Sequence, residues 1–231
     1  MKKLLLFNLL ILCTLISANR SYGKDRDHRK LDEFHSIHVG GGIDVFIYQD
    51  DDYRVEIESK GDPDDIVTEV NGDVLRIRYK DGWSFLKWGR DDEVHVYVRN
   101  LEEIKSSGGS DVEGRDRLTG DFLKLESSGG SDIILDVDVR ELELNSSGGS
   151  DIKLSGKVRF LHAESSGGSD IKAYDLIADE ADLRSSGGSD IQITVGKRIS
   201  ARASGGSDIF YYGEPEYVDI DSSSGGDVHH K

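Results

Sequence analysis

One six-residue motif, Ser-Ser-Gly-Gly-Ser-Asp, returns at a nearly constant interval through the second half of this chain and constrains its fold more than any other feature. Intact copies span Ser106–Asp111, Ser127–Asp132, Ser146–Asp151, Ser165–Asp170 and Ser185–Asp190, and degenerate copies follow at Ala203–Asp208 and Ser222–Asp227. The closing Asp residues step by 21, 19, 19, 20, 18 and 19 positions. A fixed period of this length marks one structural unit stacked repeatedly on itself.

The residues between motifs say what the unit is made of. Leu123 and Leu125, Leu142 and Leu144, Leu161 and Ala163, Ala181 and Leu183, and Ile199 and Ala201 precede successive motifs. Ile133 and Leu135, Ile152 and Leu154, Ile171 and Ala173, Ile191 and Ile193, and Ile209 and Tyr211 follow them. Their sequence neighbours are mostly charged or polar, as in Lys124, Glu126, Glu141, Glu143 and Lys153. Apolar residues at period two describe strands with one buried face. A unit this short cannot hold a βαβ crossover, which takes about 30 residues. Each unit has one apolar face that only a neighbouring copy can cover. The expected fold is therefore all-β: a parallel β-solenoid of about seven coils, forming a rod about 30 Å long at the usual strand spacing.

Each motif position has a structural reason. The first Ser keeps the inward parity of the preceding leucines, so a small side chain turns the corner and its hydroxyl is free to bond between coils. The Gly pair permits positive φ and close backbone approach. The Asp restarts the strand with a side chain able to accept from turn amides.

The N-terminal half is organised differently. Residues 1–23 read as a signal peptide: Lys2 and Lys3, an apolar run from Leu4 to Ile16, then small and polar residues ending at Gly23, with Ala18 as a second possible cleavage point. The run is shorter than the ~20 residues of a membrane span, so the mature chain is expected to have no transmembrane segment. Cys13 falls inside the run, which leaves the mature chain without a thiol. Residues 24–33 are highly charged and read as a flexible leader. Residues 34–101 read as an antiparallel β cap over the open end of the solenoid, which occupies 102–231; cap and solenoid form one continuous domain. Candidate strands of the cap are Ser36–Val39, Ile43–Gln49, Tyr53–Ser59, Ile66–Val70, Val74–Tyr79 and Glu93–Arg99. Asn71-Gly72 between two of them signals a type I′ hairpin.

Charge narrows the partners. The net charge is −16, and loss of Lys2, Lys3 and Arg20 with the signal peptide takes it to −19. Such a polyanion repels nucleic acid and anionic lipid, so neither is an expected partner.

At Val39-Gly40-Gly41-Gly42-Ile43-Asp44-Val45 with Tyr48-Gln49, at Ile66–Ile77, and in the recurring Ser-Gly-Gly-Ser-Asp turns, the chain resembles the head GIN domain family of autotransporter-adhesin proteins, exported by bacteria that are largely Bacteroidetes. The likeness spans roughly residues 34–227, with Asp44 where the family's name-giving Asn would stand. It implies a β-helix reminiscent of pectin-lyase-type folds without their catalytic residues, and a role in adhesion.

Catalysis needs a single constellation in which acid and base sit in different environments. Here the same Asp is offered at every coil, and no HExxH, GxSxG or phosphate-loop motif is present. No enzyme and no cofactor are expected. One metal reading stays open. Stacked, Asp111, Asp132, Asp151, Asp170, Asp190, Asp208 and Asp227 form a carboxylate ladder at about 5 Å spacing. The repulsion is about 0.8 kcal/mol per pair in water and about 3 kcal/mol at an effective dielectric of about 20. Either turn amides offset it, or calcium does, as in a calcium-binding β-roll. The seven histidines share no ligand spacing.

A second candidate site is the segment from Asp81 to Arg90, which carries Trp83, Phe85 and Trp88 in what reads as a hairpin loop. Its rings either pack on the cap or form an exposed platform for a ligand. The expected function is a non-enzymatic binding module outside the cytoplasm (periplasmic, surface-held or released) whose partner is an extracellular or envelope protein or glycan. A purely structural envelope spacer is the alternative.

Overall fold

The structure, a computed structural model, describes residues 24–80 and 92–231. The fold is all-β and is dominated by a parallel β-solenoid of about seven turns. Long strands β9 (Val112–Ser128), β10 (Asp132–Ser147), β11 (Asp151–Ser166), β12 (Asp170–Ser186) and β13 (Asp190–Ser204) stack in parallel, each running from one Gly-Gly corner to the next. The last turn is made of β14 (Asp208–Tyr212), β15 (Tyr217–Ser223) and β16 (Asp227–His230). Equivalent residues fall opposite one another, so that Ile133 pairs with Ile152, Leu142 with Leu161 and Ser146 with Ser165.

Within one coil the alternation changes phase once. Ile133, Leu135, Val137 and Val139 are buried, Arg140 and Glu141 both face solvent, and Leu142, Leu144 and Ser146 are buried again. A second, gentler bend lies at that phase change, opposite the sharp Gly-Gly corner. The two legs enclose a single hydrophobic core that continues into the N-terminal region.

The corner shows why the motif is so uniform. The Ser146 hydroxyl donates to the Ser150 carbonyl at 2.8 Å, and the Ser150 hydroxyl donates to the Ser147 carbonyl at 2.9 Å. The same bonds recur at Ser165, Ser169 and Ser166. These hydroxyls therefore satisfy carbonyls of their own corner, where the sequence suggested bonds between coils. Buried polar groups must be paired, and this is the shortest way to pair them. The two glycines serve different ends. Both have positive φ, but a Cβ on Gly148 would also lie 3.3 Å from the backbone nitrogen of Gly129 in the coil below, whereas a Cβ on Gly149 would meet nothing within 4 Å.

The N-terminal region departs from the expected antiparallel cap. β2 (Ser36–Gly40) and β3 (Asp44–Gln49) are parallel to β8 (Glu103–Ser107) and β9, with Val39 opposite Ser106 and Val45 opposite Val112. Val39–Asp44 is thus one more corner of the stack, with Gly41 and Gly42 both at positive φ. β6 (Val74–Tyr79) and β7 (Glu93–Val98) add a further parallel layer on β2 and β3. Only the outermost strands are antiparallel: β4 (Arg54–Ser59) on β7, β5 (Ile66–Asn71) on β6, and β1 (Asp25–Lys30) on β4. The solenoid thus begins well before residue 102, and the cap proper is the antiparallel outer layer.

Two local expectations change as well. Residues 25–30, read as flexible, form edge strand β1, tied down where Arg29 donates to the Ile66 carbonyl at 2.7 Å and to Thr68 Oγ1 at 3.0 Å. The β5–β6 hairpin forms, but Asn71 still pairs with Val74, so the two turn residues are Gly72 and Asp73. Only Gly72 has positive φ, which fits a type II′ turn and not I′. Among the described residues no helix is long and apolar enough to cross a membrane. Residues 1–23, read as a signal peptide, lie outside the described residues.

Candidate functional surfaces: the Asp ladder and an aromatic row

The register brings the seven motif Asp residues into one ladder. Asp132 lies opposite Asp151, Asp151 opposite Asp170, Asp170 opposite Asp190, Asp190 opposite Asp208 and Asp208 opposite Asp227. Each carboxylate from Asp111 to Asp190 accepts, through Oδ1, the backbone N–H of the next Asp up the rod, at 3.0–3.2 Å. The amide comes from the following coil and not from the residue's own turn, so the side chain acts as a bracket between coils. Lys172 adds an ion pair to both Asp151 and Asp170. Burial pushes the Asp111 carboxyl above its ordinary value; the Asp132 amide opposes this, and the Asp132 charge adds to it.

This geometry gives a direct test of the bracket. The Asp170 N–H also reaches the Ser150 carbonyl at 3.3 Å, so Asp151→Ala removes one of its two acceptors and should cost about 1 kcal/mol in urea unfolding, with little from the exposed Lys172 pair. Asp151→Asn keeps a side-chain oxygen and should cost less. If Asp151→Ala were stabilising, charge repulsion would outweigh the bracket and the account would fail.

A second surface was not legible as a site in the sequence. Val45 and Ile47 of β3 and Val94 and Val96 of β7 point into the core, which turns Phe46, Tyr48, His95 and Tyr97 outward on adjacent strands. Tyr48 and Tyr97 stack with centroids 4.7 Å apart, and Phe46 lies 5.1 Å from the His95 ring. The Tyr48 hydroxyl and His95 Nδ1 are 3.3 Å apart. Arg54 from β4 lies 3.6 Å over the Tyr97 ring, and Arg115 from β9 lies 4.2 Å over Phe46. Four partly buried aromatic rings bracketed by two arginines therefore form one row across the first coils. Burial raises the Tyr97 phenol above its ordinary value, with the Glu56 charge adding to the effect. The signal was present as Phe-x-Tyr and His-x-Tyr at outward parity, but only register places the two strands side by side.

Trp83, Phe85 and Trp88 lie outside the described residues. Their segment joins β6 to β7, which are not partners of each other: β6 pairs with β2 and β5, and β7 with β3 and β4. In sequence the segment is followed by β7, the strand that carries His95 and Tyr97.

The chain matches the family model described as "putative auto-transporter adhesin, head GIN domain" over residues 33–215. Its fold is similar to a crystal structure described as a putative adhesin from Bacteroides fragilis, with a TM-score of 0.79 and 24% identity over 90% of this chain and 96% of that one. A putative adhesin from Parabacteroides merdae gives 0.72 at 20% identity, over 90% and 96% of the two chains. A protein from Parabacteroides distasonis, described as a putative lipid binding protein, gives 0.69 at 18% identity, over 90% and 97%. No curated protein matches the chain. Corner motif, solenoid and family model coincide along nearly the whole described chain, which therefore belongs to the head GIN domain family of auto-transporter adhesin type.

Proposed function

We propose that this is an exported, non-enzymatic adhesion module of the bacterial cell envelope, which engages an extracellular or envelope protein or glycan through its N-terminal coils. The observation that carries the reading is the row Phe46, Tyr48, His95 and Tyr97 with Arg54 and Arg115. Aromatic residues and arginine are the types enriched where binding energy concentrates, because they present large, rigid, amphipathic area. Trp83, Phe85 and Trp88 are part of the same proposal, since their segment leads directly into β7. Export is supported by the pattern of residues 1–23 and by the adhesin description of the family. A non-catalytic role is supported by the uniformity of the Asp ladder, which gives no acid and base with contrasting surroundings.

A glycan array and an envelope-protein pull-down, run on the wild type, on Tyr48→Ala/Tyr97→Ala and on Trp83→Ala/Trp88→Ala, test the proposal. Each double variant should lose about 10-fold or more in affinity, with the strand signal in circular dichroism kept. Binding that survives both variants would remove the N-terminal coils from the account. Binding to nothing would favour a structural spacer.

A further inference from the structure

The Asp ladder changes at its C-terminal end. From Asp111 to Asp190 each carboxylate receives the amide of the next Asp, but the Asp227 N–H donates instead to the Ser207 carbonyl at 3.0 Å. Asp208 is thereby the rung whose carboxylate loses its bracket. In place of the amide it faces an imidazole: His229 Nε2 lies 3.8 Å from Asp208 Oδ1. Period two explains the encounter. Asp227 and His229 are two apart on β16 and share its outward face, while Asp208 lies directly opposite Asp227 on β14. Stacking of His229 on Phe210, at 5.1 Å and 17°, orients the ring. The adjacent histidine serves another end, because His230 stacks on Tyr211 and donates from Nε2 to the Gly213 carbonyl at 2.7 Å.

One ligand atom from each of Asp208, Asp227 and His229 lies within 4.8 Å of the others. A second triad of the same chemistry, Glu58, Glu93 and His95, meets the same distance. That triad already holds cations of the chain: Lys24 pairs with Glu93, and Arg26 lies 2.8 Å from Glu58. The Asp208–Asp227–His229 triad has no such partner, since among the described ion pairs no lysine or arginine reaches either carboxylate, and Asp208 meets only the His229 ring. An uncompensated carboxylate pair with an oriented imidazole lacks a positive charge at its centre.

We propose that Asp208, Asp227 and His229 bind a divalent first-row transition ion of the zinc class, completed by water. The donor set decides the class. Calcium takes six to eight oxygens, whereas one imidazole and two carboxylates suit zinc and its neighbours. Ligands about 2.0–2.2 Å from one ion lie at most about 4 Å apart, so the site closes slightly on binding. The exposed Asp227 side chain is free to make that movement. The site is distinct from a calcium ladder along the rod, because the bracketed carboxylates already spend an oxygen on an amide.

Isothermal titration of the untagged chain with ZnCl2, and separately with CaCl2, tests this. One zinc per chain is expected, with markedly weaker calcium binding. His229→Ala and Asp208→Asn should each weaken zinc by at least the roughly 10–100-fold that follows loss of an outer hydrogen-bonding partner of a metal ligand, while His95→Ala leaves it unchanged. As a readout that needs no variant to fold, the His229 ring resonances of the wild type should shift on adding zinc. Unchanged His229 resonances, undiminished zinc binding in His229→Ala, loss in His95→Ala, or calcium binding as tight as zinc would each overturn the proposal.

Discussion

Gly156→Ala is expected to destabilise the protein by about 3 kcal/mol or more, the upper end of what a forced backbone conformation costs. Gly156 sits within β11 at φ +109°, a conformation that L side chains rarely adopt. A Cβ there would lie 2.0 Å from the Val137 carbonyl oxygen of the coil below and 2.7 Å from Asp136 Oδ1. No rotamer relieves a contact made by the Cβ itself, so one of two stacked backbones must move. Gly149→Ala is the matched comparison. It also has positive φ, but a Cβ there meets nothing within 4 Å, so only the conformational cost of about 1–2 kcal/mol remains. Urea unfolding of both variants separates steric approach from φ. Equal midpoints would show that coil-to-coil approach is not what Gly156 provides.

Leu144→Ala is expected to cost about 3–4 kcal/mol, within the range for truncating a fully buried leucine. Leu144 is 0% exposed and belongs to an inward column in which Leu125 and Ala163 are its neighbours above and below. Because Ala163 is already small, a second alanine beside it leaves a void that no adjacent side chain can refill. The opposite column is made of larger residues, with Ile133 paired to Ile152. A fall in the urea midpoint at unchanged slope is the expected signature. A change below about 1 kcal/mol would mean that the coils relax into the gap, contrary to a close-packed solenoid interior.

The two substitutions probe different halves of one arrangement. The corners and bends determine how closely coils approach, and the inward columns supply the burial that holds them. The serines of the corner are buried yet satisfied within the turn, so the chain can be small and polar at each corner without leaving orphaned carbonyls. The outward faces are then free to vary. That freedom is why neither the aromatic row nor the C-terminal triad repeats along the rod.

The sequence by itself determined the all-β class, the parallel stacking, the inward residues and the seven Asp-bearing corners. These depend on period-two alternation and on a repeat that places each residue opposite its own equivalent, so local pattern and tertiary partner coincide. Where the repeat is absent, they do not coincide. Val39–Asp44 lacks the serines yet is a corner, because its partner Ser106–Asp111 lies some sixty-seven residues away and supplies the Ser110 hydroxyl that caps the Gly42 and Ile43 amides. Residues 25–30 look solvated but are held as an edge strand by β4, a partner that no local periodicity announces. Only the tertiary structure decided that β6 and β7 extend the stack, that Phe46, Tyr48, His95 and Tyr97 meet, and that His229 faces Asp208 and Asp227. Each of those encounters joins residues from different strands at non-repeating spacing, and register between strands is a property of the folded sheet.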